Sequence, residues 1–262
     1  MSISVIIPVK DQYDSLIRVL QGFGHQTMTD FEIVVVDDGS SDKTSVLTSQ
    51  DIVDISHVDS RIIHQVNAGR AAARNAGIEN SEGSFLVFND GDRVPARNLI
   101  DVYCEKSNSD VICVGYSYDY FGMDLNRIDN MEWDFIERFS RLPRYYKDVV
   151  SKCDSENFNS FKYPWMSFMV GNSCVSREVL NSSGFFDERF KEWGGEHFEL
   201  GYRMYRSGYK FLICDSARNY HIPHKREKGF YKKYITESFQ LINEIHKEID
   251  ISDCMKYLGI DI

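Results

Sequence analysis

The chain has 262 residues, 42% of them hydrophobic and 27% charged, which suits one large α/β domain or two small ones around a substantial core. A formal net charge of −10 excludes a general nucleic-acid binder, which needs a basic surface to neutralise phosphates, and leaves room for small anions bridged by a divalent cation. Six scattered cysteines (Cys104, Cys113, Cys153, Cys174, Cys214, Cys254) without a CxxC pair read as reduced, buried thiols; with neither a cleavable leader after Met1 nor a bilayer-length apolar run, the expected location is cytoplasmic, any membrane contact being peripheral.

Ile3 to Val9 is a β-branched run that reads as the first buried strand, with Pro8 marking its exit. From Asp14 to Phe23 the apolar residues Leu16, Ile17, Val19, Leu20 and Phe23 fall at helical spacing. Phe31 to Val36 forms a second strand, and strand, helix, strand implies a right-handed parallel crossover. It runs into Asp37-Asp38-Gly39-Ser40-Ser41-Asp42, where Ser41 or Asp42 suits the cap of a following helix. The alanine-rich stretch Asn67 to Ile78 predicts a helix lying close to the sheet or to a ligand, its Arg70 and Arg74 facing either phosphate or solvent.

Phe85 to Phe88 is apolar and leads straight into Asn89-Asp90-Gly91-Asp92, the pattern of a buried parallel strand whose polar tip emerges at the sheet edge, where ligands of open α/β sheets sit. Two carboxylates two residues apart on such a tip can converge on one hard cation, Mg²⁺ or Mn²⁺. Val111 to Tyr116 is a further strand. From Ser117 to about Tyr163 the periodicity weakens, as in an insertion, with helix expected around Trp133 to Phe139. Trp165 to Val175 is apolar, Arg177 to Asn181 is a short helix, and Gly184 to Asp187 is a turn. Glu196 to Arg206 has helical spacing, after a Gly194-Gly195 pair that permits unusual backbone or close approach. Lys210 to Cys214 reads as a strand, and Gly229 to Ile249 as an amphipathic helix.

In this order and at these separations, Ser4-Val5-Ile6-Ile7-Pro8, Val36 to Asp42, Asn67-Ala68-Gly69 with Ala73-Arg74-Asn75-Ala76-Gly77, Asn89 to Asp92, Gly184 to Asp187, and Trp193-Gly194-Gly195-Glu196 with Arg203 resemble a family 2 glycosyltransferase of the GT-A fold, over roughly Ile3 to His224. The resemblance implies an α/β, Rossmann-like, open and mainly parallel sheet flanked by helices. Residues 1–116 would be the nucleotide-sugar-binding half, 117–225 the acceptor-binding and catalytic half of the same domain, and 226–262 a helical tail. It implies that Pro8 and Val9 open onto the nucleotide, that Asp38 reads the uracil edge, and that Arg74 lies near the nucleotide. Asp90 would face the donor sugar or its ribose, Asp92 would bind the metal, and His221 would complete the metal site with His224 as its fallback. Asn67, Gly91, Trp193 and Gly195 join the donor-binding set, Trp165 and Trp193 being candidate sugar-stacking walls. Lys225 and Arg226 either fold over the diphosphate as a lid or form a solvated basic turn. The implied activity is metal-dependent (Mn²⁺ or Mg²⁺) transfer from a UDP-sugar to a hydroxyl of a carbohydrate or lipid-linked acceptor.

Two departures stand out. Inverting members usually carry an acidic pair where this chain has Glu196-His197. Either Glu196 is the base, its pKa raised by burial beside Trp193, or His197 is, or none operates, as in a retaining group that this segment also resembles. The reading favours Glu196, with His197 as competitor, and inversion over retention. Arg93 replaces a further acid after Asp92. Two rivals remain: a nucleotidyltransferase, which would need a glycine in Lys10-Asp11-Gln12-Tyr13, and a catalytically silent sugar-nucleotide-binding subunit, which His197 leaves open. The basic residues Lys225, Arg226, Lys228, Lys232 and Lys233 either touch an anionic membrane or form a solvated helix start.

Overall fold

A computed structural model describes residues 1–153, 161–191, 193–224, 227 and 229–259. Its strands are β1 (Ile3–Val9), β2 (Glu32–Asp37), β3 (Asp59–His64), β4 (Phe85–Asn89), β5 (Arg93–Pro95), β6 (Val111–Tyr120), β7 (Ser140–Arg141), β8 (Asn172–Ser176) and β9 (Lys210–His221). They form one sheet in the order β3-β2-β1-β4-β8-β6-β9-β5, with β7 on β6. β3, β2, β1 and β4 are mutually parallel, as are β6 and β9; antiparallel β8 joins the two blocks. The helices are α1 (Tyr13–Gly24), α2 (Ser49–Ser56), α3 (Arg70–Glu79), α4 (Leu99–Lys106), α5 (Asn126–Asp129), α6 (Trp133–Arg138), α7 (Arg144–Asp148), α8 (Arg177–Ser183), α9 (Glu196–Arg206), α10 (Phe230–Ile245) and α11 (Ile251–Tyr257).

The apolar runs of β1 and β4 follow from burial on both faces. Val5, Ile7 and Val9 pack under α1, α2 and α4, in a core with Leu16, Phe23, Ile52, Leu99 and Tyr103. Ile6, Leu86 and Phe88 point the other way, into a core with Ala71 of α3, Leu180 of α8, Leu200 of α9 and Phe239 of α10. The GT-A type α/β sheet is thus the one expected, and α9 spans Glu196–Arg206 as its periodicity predicts.

Four local features differ from the sequence reading. Asp42 caps a 3-10 turn, Lys43–Val46, through the Thr44 amide. The α-helix beyond it starts at a Thr48/Asp51 capping box and feeds β3, which the sequence reading lacked. The Phe85 strand is parallel to β1 on one side and antiparallel to β8 on the other. β6 continues to Tyr120 and β9 to His221, so β6 runs straight through residue 116 and both halves share one sheet. Trp165 is 1% exposed and packs edge-on against Tyr163, Phe198 and Tyr202 inside the second core; it is core filling and walls no cleft. Among the described residues, no helix is long and apolar enough to cross a membrane.

Candidate active site

The C-terminal ends of β1, β2 and β4 and the end of β9 open onto one cleft of about 1490 Å³. Of the residues predicted from sequence, Pro8, Val9, Asp38, Asn67, Arg74, Asp90, Asp92, Trp193, Gly195, Glu196, His197 and His221 line it. Gly91 lies beneath the floor, where a side chain would press on Val9 Cγ2 at 3.3 Å. Lys225 and Arg226 lie outside the described residues.

The floor is built by a reversal. After β4 the Arg93 amide donates to the Asp90 carbonyl at 3.1 Å, and the chain turns into β5, which pairs antiparallel with β9 so that Arg93 sits opposite His221. That pairing brings Asp92 beside the end of β9, where the Ile222 amide donates to the Asp92 carbonyl at 2.8 Å. Asp92 Oδ2 is then 3.6 Å from His221 Nε2 and 3.4 Å from His224 Nε2. One ligand atom from each of the three lies within 4.8 Å of the others. His221 Nδ1 is 2.9 Å from Asp119 Oδ1, while its Nε2 is buried without a hydrogen-bond partner among the described residues. Burial alone would push the Asp92 carboxyl up, but the two imidazoles hold it well below the usual carboxylate range. Burial pulls His221 down; Asp119 and Asp92 outweigh it and raise its pKa. An anionic oxygen, two imidazoles and an orphaned buried nitrogen aimed at the gap between them fit a divalent cation, Mn²⁺ at least as well as Mg²⁺. Asp92 and His221, the two residues that the sequence reading named for a metal, thus lie together with His224 beside them.

Arg74 lines the cleft from a buried position. It is 1% exposed, and its guanidinium donates to Glu196 Oε1 at 2.7 Å and to Asp90 Oδ1 at 3.0 Å, over the ring of Phe186. It is a buried clamp between two acids at the back of the cleft. Asp90 is also held by Arg93 Nε at 3.1 Å. The expected rise in the pKa of Glu196 is overturned by His197 and then by the same clamp. Burial pushes the carboxyl up, yet the imidazole of His197 and the guanidiniums of Arg74 and Arg70 take it far below the usual carboxylate range. Among the described residues, Glu196 Oε2 and His197 Nδ1 are buried without hydrogen-bond partners, the latter 3.6 Å from Glu196 Oε1.

The description of glycosyl transferase family 2 matches residues 4–181 of the chain. The chain belongs to that family. A second description, the N-terminal domain of galactosyltransferase, matches residues 152–225. A hyaluronan synthase of Pasteurella multocida is 30% identical over 214 residues, covering 73% of this chain and 21% of the synthase. A chondroitin synthase of Pasteurella multocida (strain Pm70) is 28% identical over 248 residues, 84% of this chain and 25% of that one. An uncharacterized glycosyltransferase, YfnE, of Bacillus subtilis (strain 168) is 25% identical over 86% of this chain and 65% of its own. The chain thus spans less than two thirds of the length of each of these relatives. Two solved structures share its fold. S. aureus TarS 1-349 in complex with UDP superposes with a TM-score of 0.64 at 18% identity, over 95% of this chain and 67% of that one. GalNAc-T7 with UDP, GalNAc and Mn²⁺ gives 0.65 at 17% identity, over 97% and 49%.

Other family 2 motif residues in this glycosyltransferase shape the site from behind. Asp38 accepts from the amides of Ala68 at 2.8 Å and Gly69 at 2.9 Å and from Gln65 Nε2 at 2.8 Å, so its carboxylate fixes the loop that presents exposed Asn67 and Arg70 to the cleft. Asn75 exchanges hydrogen bonds with the backbone of Phe186, at 2.9 and 3.0 Å, pinning the Gly184 to Asp187 turn onto α3. Arg203 holds the same turn from α9 through the carbonyls of Ser183 and Phe185, with Glu199 as its counter-ion. Gly195 has φ +91°, and a Cβ there would lie 2.3 Å from Ser238 Cβ of α10. Ser238 Oγ donates to the Gly194 carbonyl at 2.7 Å, which ties α10 to the turn that launches Glu196 and His197. Trp193 meets Phe230 and Tyr231 of α10 edge-on, with centroids 5.5 and 5.1 Å apart.

Two contributors escaped the sequence reading: Asp119 lies in the segment without periodicity, and Tyr231 lies in the amphipathic C-terminal helix. Arg70 is named there together with Arg74, without a distinction between them.

Proposed function

We propose that this glycosyltransferase moves a sugar from a UDP-sugar to a hydroxyl of a carbohydrate or lipid-linked acceptor with a divalent cation bound by Asp92, His221 and His224. The observation that carries the reading is the convergence of those three ligand atoms within 4.8 Å at the floor of the cleft. A cation there would neutralise the diphosphate leaving group as a Lewis acid. Pro8 and Val9 and the loop held by Asp38 form the wall proposed for the nucleotide. Arg70 opens α3 on that wall, where a guanidinium and a helix N-terminus together favour a diphosphate. Arg74 holds Asp90 and Glu196 in place. For proton removal the proposal moves from Glu196 to His197, because a carboxylate held so far below its usual range is a weak base, whereas imidazole is suited to proton transfer near neutral pH. Trp193 and Tyr231 line the side of the cleft proposed for the acceptor.

The test is calorimetric titration of UDP with and without Mn²⁺. UDP should bind tighter by about 5- to 150-fold when Mn²⁺ is present, the usual span of coupling between two ligands, and Asp92→Asn should remove the gain. Equal affinity under both conditions, or no UDP binding at all, would refute the reading. A catalytically silent subunit would pass that test and differ in releasing no UDP from a UDP-sugar.

A further inference from the structure

The metal reading above leaves one side chain unaccounted for. Asp119 sits near the end of β6, and its Oδ1 is 2.9 Å from His221 Nδ1. We propose that Asp119 is the positioning residue of the metal site: it takes the Nδ1–H of His221, so that Nε2 presents its lone pair to the cation shared with Asp92 and His224. This inference rests on the metal reading.

The strands are built to make that contact. β6 and β9 pair in parallel from Val111 opposite Lys210 to Gly115 opposite Cys214, and the register then jumps so that Tyr116 faces Arg218. Asp215, Ser216 and Ala217 are passed over in the pairing. The jump brings His221 opposite Asp119; an unbroken register would have put Arg218 there and left the imidazole beyond reach.

The jump is held by a buried polar network. Asn172 of β8, fully buried, donates through Nδ2 to the carbonyls of Tyr116 and Ala217, each at 3.0 Å, one on either side of the shift. Its Oδ1 accepts from the hydroxyl of buried Tyr103 at 2.7 Å. Gly115 leaves the room, since a Cβ there would lie 2.4 Å from the Ala217 carbonyl oxygen and 2.5 Å from Asn172 Nδ2. On the far side of His221, Arg93 of β5 occupies the paired position and is drawn off by Asp90. Among the described residues, the histidine thus has a carboxylate at hydrogen-bond distance on its Nδ1 side only, and the nitrogen left without a hydrogen-bond partner is the one facing Asp92, 3.6 Å away. A carboxylate on the remote nitrogen of a metal-binding histidine fixes its tautomer and ring orientation and strengthens it as a ligand.

The experiment is a Mn²⁺ titration followed by the electron paramagnetic resonance signal of the free ion, with UDP in fixed excess, on wild type, Asp119→Asn and Asp119→Ala. The metal-free thermal midpoint of each is recorded alongside. Asp119→Ala should weaken Mn²⁺ by about 10- to 100-fold with an unchanged metal-free midpoint. Asp119→Asn keeps an oxygen that accepts the Nδ1–H and should recover part of the loss. If both variants bind Mn²⁺ as tightly as wild type, the proposal falls and the metal reading stands. If wild type itself binds no Mn²⁺, both fall. Should Asp119→Ala not fold, the near-isosteric Asp119→Asn decides, and wild-type affinity in it would overturn the assignment.

Discussion

Arg74→Met tests whether the clamp behind the cleft is what keeps two buried carboxylates ionised. The side chain is 2% exposed and that of Glu196 is 3% exposed, with the two joined at 2.7 Å and Asp90 held at 3.0 Å. Removing one member of such a pair leaves the other as an uncompensated buried charge, which costs about 3–5 kcal/mol. At about 2–4 °C per kcal/mol for a chain of this size, the thermal midpoint at neutral pH should fall by roughly 6–20 °C. The pH dependence should change as well. In wild type the folded pKa of Glu196 lies below its unfolded value of 4.5, so its contribution is present above that value and is lost as pH falls through the folded pKa. Without Arg74 one of the groups that oppose burial is gone and the folded pKa moves up, with His197 and Arg70 still lowering it. The variant therefore lacks part of that contribution at neutral pH, and the deficit fades as Glu196 takes up a proton on acidification. Midpoints measured by calorimetry from neutral pH down to about pH 4 would show the gap between the two proteins narrowing toward acid. Arg74→Met with Glu196→Gln should recover part of the lost stability, because the amide carries no charge. A midpoint for Arg74→Met that stays at the wild-type value, or a double variant no more stable than the single one, would refute the reasoning.

Two further outcomes are expected. His64 Nδ1 is 2.8 Å from Asp37 Oδ2 and its Nε2 is 2.9 Å from the Leu47 carbonyl, so both nitrogens face acceptors, an arrangement that favours the imidazolium and raises its pKa above 6.5 chiefly through Asp37. Its stabilisation is therefore full below about pH 6.5 and is lost as pH rises through the folded pKa; the midpoint gap between wild type and His64→Leu should shrink from acid to alkali, and a gap that widens would sink the assignment. His197→Asn should lower UDP release from whichever UDP-sugar the wild type hydrolyses by about 10²- to 10⁴-fold, the usual worth of a positioned acid–base group, and by more than Glu196→Gln does. Near-native release by His197→Asn would exclude it as the base.

The parts of this molecule that the sequence revealed are those whose cause is local. β1, β2 and β4 are buried on both faces and so read as unbroken apolar runs, and α9 carries its buried residues at helical spacing from Glu196 onward. Asp92, His221 and His224 were legible because a strand tip and a short motif mark them. β3 escaped because its Asp-Ser-Arg-Ile-Ile-His has only two apolar residues and lies exposed at its ends. The second halves of β6 and β9 escaped because Tyr116 to Tyr120 and Asp215 to His221 mix buried and half-exposed residues.

The sign of the Glu196 shift shows why the remainder needs three dimensions. Burial was foreseeable from the apolar residues around Trp193, and burial alone raises a carboxyl's pKa, which is how Glu196 became the expected base. The neighbouring His197 opposes that rise first, and the guanidinium that adds to this opposition comes from 122 residues earlier in the chain, where only the packing of α3 against the start of α9 brings it within 2.7 Å. Asp119 and His221 are likewise 102 residues apart, and their meeting depends on a register jump fixed by Asn172 on a third strand. A motif can therefore name the residues at the cleft, but whether a carboxylate there is a base, a clamp or a ligand is decided by the charge that the fold sets beside it. For Glu196 those charges are His197 and Arg74, which together hold its carboxylate far below the usual range against the pull of burial.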